Sequence, residues 1–148
     1  MVSQIERGES SPTVATLWNL TRALQVDFAG LLDQAAGGSA VDVIRDAQVP
    51  VIDGLGQGCR IRILSEPEMA GRHEVYDIRF APDGALVSDP HRPGAREVVT
   101  VVSGRVRIRS GDSEESLREG DTARYAADLP HAIRADSAAR VFLVVHDS

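Results

Sequence analysis

The sequence predicts a mainly β protein, a small antiparallel barrel or sandwich preceded by a short helical segment and a linker. Apolar residues recur with a period of two along much of the chain after residue 48, which gives each stretch one buried and one wet face. Turn residues separate these stretches and no helical pattern interrupts them, the arrangement of an antiparallel sandwich or closed sheet. Residues 1–34 carry a different pattern, with apolar residues three and four apart, as on one buried helical stripe.

Residues 2–9 read as the back half of a short helix ending at Gly8. Ser11 is a fitting N-cap with Pro12 in the first helical position, where a missing N–H costs nothing. Val14, Leu17, Trp18, Leu20, Thr21 and Leu24 then share a stripe, so Trp18 belongs to packing rather than to a ligand site. Asp27 caps a further short helix, "FAGLLDQ". The paired glycines of "AAGGSA", residues 35–40, suit a linker, because they hold no helix and offer little side chain to pack. The chain thus divides into a helical part, 1–34, a linker, 35–47, and a β domain, 48–148.

In the β domain "CRIRIL" alternates Cys59, Ile61 and Ile63 against Arg60 and Arg62, and "RVRIR" alternates Val106 and Ile108 against three arginines. "EVYDIRF", "EVVTVVS", "TARYAA" and "ARVFLVV" are further strands. "PDG" at 82–84, "SG" at 103–104, "SGD" at 110–112 and "EGD" at 119–121 mark turns. Cys59 sits on an apolar face, so it reads as a small buried residue. It is also the single cysteine, which excludes an internal disulfide and fits a reducing, cytoplasmic compartment. No apolar run is long enough for a membrane span. The net charge of −6 argues against broad polyanion binding.

"SQIERGESSPTVATLWNLTRALQVDFAGLL" resembles the later helices of the Cro/cI-type helix-turn-helix of the XRE family of transcriptional regulators. "PHRPGAREVVTVVSGRVRIRSGDSEESLREGDTARYAADLPHAIRA" resembles the two motifs of a small cupin barrel, a jelly roll. Their order is that of XRE regulators with a C-terminal cupin sensor. The resemblance implies that the first helices and the start of the recognition helix would precede Met1, so residues 1–34 are expected to be a partial three-helix remnant that binds DNA weakly or not at all by itself. Carried over onto this chain, it makes Gln4 a base-reading residue, with Ser3 and Arg7 beside it and Ser11 and Thr13 at a phosphate.

Cupins hold a divalent metal with two histidines, a glutamate and a third histidine in the second motif. This sequence keeps His91, Glu97, Gly104, Gly120 and His131, but Arg92 or Pro93 stands where the second histidine belongs. His91, Glu97 and His131 would still form a set able to take Zn, Fe or Mn. No cofactor is required by the residues alone: a metal-free pocket in which Arg92 or Arg96 pairs with Glu97 is the other reading, and the missing histidine favours it. His73 and His146 read as surface histidines. The function implied is a non-enzymatic, dimeric DNA-binding regulator. Its cupin would sense a small effector in a pocket lined by Tyr76, Ile78, Phe80, Val99, Val101 and Ile133 around His91, Glu97 and His131. The alternative is a metal-dependent cupin enzyme, an oxygenase, isomerase or epoxidase-like protein, with a helical appendage.

Overall fold

The computed structural model describes residues 41–147. The expected helical remnant, with Ser3, Gln4, Arg7, Ser11, Thr13 and Trp18, lies outside the described residues. Nine strands follow one another: β1 (Val51–Asp53), β2 (Gln57–Ile63), β3 (His73–Ser88), β4 (Arg96–Ser103), β5 (Arg105–Ser110), β6 (Ser113–Arg118), β7 (Thr122–Ala126), β8 (His131–Ala135) and β9 (Ala139–His146). Every pairing is antiparallel, in the order β6-β5-β8-β3-β9-β4-β7, with β2 between β1 and β3. β6 approaches β4 and β5 approaches β7, so the sheet curls into a nearly closed barrel.

The period-two pattern explains the inside of this barrel. Ile61, Ile78, Val99, Val101, Val106 and Val141 are essentially inaccessible to solvent. Register aligns them in rows across strands: Ile61 faces Ile78, Ile78 faces Val141, and Val141 faces Val101. Burying a branched side chain of this size contributes roughly 1.5–3 kcal/mol, and the intervening arginines remain outside.

The "PDG" signal is corrected by the structure. It does not end a strand but bends one: β3 runs through residues 82–84 with Asp83 at φ 60°. The first half of β3 pairs with β2 and β9, and the second half with β8. A residue with positive φ kinks the strand locally, and here the kink lets one strand serve both sides of the barrel. "SG" at 103–104 is a genuine tight turn. Gly104 has φ 81°, and a Cβ there would collide with the Ala138 carbonyl and with Ala139.

Candidate functional site

Glu97, the second residue of β4, lies on the inner face and is 3% exposed. Such a carboxylate must be partnered. Its cross-strand neighbour on β7 is Tyr125, whose hydroxyl donates to Glu97 Oε2 at 2.5 Å. The other oxygen, Oε1, lies 3.4 Å from His91 Nε2 and 3.2 Å from His131 Nε2. His91 is held just before β4 by its backbone N–H, which donates to the Ala127 carbonyl at 2.8 Å. His131 opens β8 and is 2% exposed, its ring stacked on that of His91 with centroids 5.1 Å apart.

The electrostatics follow from this geometry. Burial alone would raise the Glu97 carboxyl, but the neighbouring His131, His91 and Tyr125 outweigh it and hold the group down at about 2. Burial disfavours a charged His131, yet Glu97 and the Leu129 carbonyl draw a proton onto it and its pKa is raised. The Tyr125 phenol is pushed far up by burial and by the carboxylate beside it, so it stays a donor.

His131 Nδ1 lies 2.8 Å from the Leu129 carbonyl. A carbonyl only accepts, so Nδ1 carries the hydrogen, and in the neutral ring Nε2 keeps a lone pair. That Nε2 is fully buried and makes no aligned hydrogen bond, despite its closeness to Glu97. One donor atom from each of His91, Glu97 and His131 lies within 4.8 Å of the others. A tetrahedral ion with bonds of about 2.1 Å separates its ligands by about 3.4 Å, which matches the 3.2 and 3.4 Å contacts at Glu97 Oε1. The three residues therefore fit a divalent cation.

Two family models match the chain: a cupin domain over residues 77–146 and a helix-turn-helix over residues 1–31. The HTH-type transcriptional regulator SutR of Escherichia coli (strain K12) is 34% identical over 136 residues, which span 90% of this chain and 70% of that protein. The chain belongs to the XRE family of transcriptional regulators with a cupin domain. The cupin domain of an XRE family regulator from Enterobacter cloacae is similar at 26% identity and TM-score 0.56, covering 61% of this chain and 97% of that one. An HTH_3 family regulator from Vibrio cholerae is similar at 25% identity and TM-score 0.62, covering 99% of this chain and 78% of that one.

In this regulator the place of the absent second histidine is not filled from the loop, since Arg92 and Pro93 are exposed. The expectation that Arg92 or Arg96 pairs with Glu97 is corrected: both arginines are exposed, and Glu97 meets His91, His131 and Tyr125 instead. Arg96 precedes Glu97 on a strand, and consecutive side chains there point to opposite faces. Tyr76, Ile78, Phe80, Val99, Val101 and Ile133 are all buried, at 4% exposure or less. Tyr125 was missed in the sequence. Its place opposite Glu97 comes from the β4–β7 register, which the local sequence pattern does not show.

A second inward carboxylate was missed too. Glu74, 5% exposed, accepts the Tyr76 hydroxyl at 2.8 Å and the Gly71 N–H at 2.9 Å. Among the described residues no helix is long and apolar enough to cross a membrane.

Proposed function

We propose that the cupin domain of this regulator is a sensor in which His91, Glu97 and His131 hold a divalent metal, Zn, Fe or Mn, and a small effector binds beside it. The observation that supports this reading is the convergence of His91 Nε2 and His131 Nε2 on Glu97 Oε1, at 3.4 and 3.2 Å, while Tyr125 holds the other carboxylate oxygen. A bound cation would supply Lewis acidity and open coordination positions for effector oxygen or nitrogen atoms. The chain's own groups do the rest. Leu129 fixes the His131 tautomer, Tyr125 fixes the carboxylate, and the wall formed by Tyr76, Ile78, Phe80, Val99, Val101 and Ile133 excludes water and selects by shape.

Effector binding is proposed to favour one arrangement of a homodimer over another and so to alter operator affinity. Ser3, Gln4, Arg7, Ser11 and Thr13 are the proposed DNA contacts, with Gln4 reading a base. Two recognition helices at a fixed separation suit a palindromic operator.

Metal analysis of the full chain purified without chelator tests the reading. About one equivalent held by His91, Glu97 and His131 is expected, as a three-ligand site implies, and His131→Ala should lower the metal content by that equivalent. A metal-free preparation that cannot be loaded would leave a histidine–carboxylate pocket and favour the metal-free sensor. Metal-dependent turnover with molecular oxygen would instead favour the enzyme.

A further inference from the structure

On the outer face of the barrel, one rung from the Glu74–Val145–Glu97 row, a second pair of imidazoles meets. His73 opens β3 and His146 closes β9, and they are partners at the last rung of that ladder. Their Nδ1 atoms lie 3.1 Å apart and their ring centroids 4.6 Å apart, on an exposed part of the barrel. We propose that His73 and His146 chelate a late divalent transition ion, of the class of zinc, copper(II) or nickel.

The chemistry rests on what two facing nitrogens can do. If both Nδ1 atoms carry lone pairs they repel, so the gap must hold either one shared proton or a cation that accepts both. A separation of 3.1 Å is close to the edge of a coordination sphere with bonds of about 2.0–2.1 Å. Imidazole nitrogens select zinc, copper and nickel over magnesium or calcium, which prefer oxygen. The backbone has already positioned both donors, because the rung is set by register with Glu74 against Val145 and Val75 against Val144. Little conformational entropy is left to lose on binding.

The surroundings permit a cation there. Asp147 and Glu74, next in sequence to His146 and His73, bring negative charge close by, although alternation turns both towards the interior; Arg72, on the other side of His73, is an exposed positive charge. Arg96 faces His146 from β4 and opposes a cation, but it is exposed and its charge is screened by solvent. Water would complete the coordination. The neighbouring rung joins Glu74, Val145 and Glu97 across β3, β9 and β4, so an ion on the outer pair would also clamp the strand ends that present Glu97.

The test uses the full chain, stripped with chelator and titrated with zinc chloride at neutral pH, beside His73→Gln, His146→Gln and His131→Ala. The outer site should survive in His131→Ala, which disables the inner one, so the two sites are read separately. His73→Gln and His146→Gln should each weaken the outer site by roughly tenfold or more, since a lost ligand costs at least as much as a lost outer-shell partner. Copper(II) added to His131→Ala should give a paramagnetic-resonance spectrum with nitrogen splitting that either glutamine variant simplifies. Zinc binding by His131→Ala that both glutamine variants leave unchanged would overturn the proposal, as would no binding at all.

Discussion

Of the three carboxylates that the barrel buries, Asp77 and Glu97 are the two least exposed, and they differ in the partners that hold them. Asp77 is 1% exposed and Glu97 3%, and each is held below the usual carboxylate range against the cost of burial. Asp77 lies on the outer side of β3, where Arg140 donates to it at 2.8 and 3.1 Å and Arg62 at 3.0 Å. Guanidinium stays charged at every relevant pH and its fork fits a carboxylate. Glu97 meets two imidazoles and a phenol, groups that exchange protons and, for imidazole, bind metals. A carboxylate locked by permanent charges holds strands together, whereas one surrounded by exchangeable partners is free to accept a ligand.

Several substitutions would break or sharpen this contrast. Asp77→Ala should be the most damaging, because it takes the carboxylate from Arg140 and leaves Arg62 with only the exposed Asp46; a loss of about 3 kcal/mol in denaturant unfolding is expected, with metal content unchanged. The same carboxylate sets an acid limit. Its pKa is lowered in the folded protein, so its contribution is complete above the ordinary aspartate value of about 3.9 and fades as pH falls through the lower folded value. The stability gap between the wild type and Asp77→Asn should therefore close below about pH 4. Equal gaps at neutral and acidic pH would show that the arginines do not hold Asp77 as an ion.

Glu97→Gln should reverse the pattern. Stability should change by only about 1 kcal/mol, because the amide oxygen can still accept from Tyr125, while metal binding at the His91, Glu97 and His131 site is lost with the charge. If unfolding is affected as strongly as in Asp77→Ala, the distinction between the two carboxylates fails. Tyr125→Phe should have the mildest effect, below about 1 kcal/mol on folding and roughly tenfold on metal affinity. Equilibrium unfolding and zinc titration on one preparation check both.

The strands that alternate strictly were legible. "CRIRIL", "RVRIR", "EVVTVVS" and "ARVFLVV" are β2, β5, β4 and β9. β6 was not, because its residues Ser113–Arg118 bury only Leu117 and form an edge of the sheet. β8 was hidden for the opposite reason: His131, Ala132 and Ile133 are all buried in succession, and the period of two is lost. Pro82, Asp83 and Gly84 have the composition of a hairpin turn, yet tertiary pairing on both sides of them keeps the strand continuous. At the site, Glu97 stood out as a carboxylate at the head of an apolar strand. Which groups surround it was not legible, since His131 and Tyr125 reach it only through long-range register.

The central position of β9 also governs how the domain comes into being. Residues Ala139–His146 lie between β3 and β4 and pair with both along most of their length, and His73 meets a partner 73 residues later. Until β9 has left the ribosome, β3 and β4 have no strand between them, so the growing chain carries two unpaired edges rich in valine and isoleucine. Closure then waits on non-local pairing, which is slow because a long loop must be ordered before any contact repays it. A ribosome stalled before Ala139 would hold an open sheet, the species on which a chaperone would act.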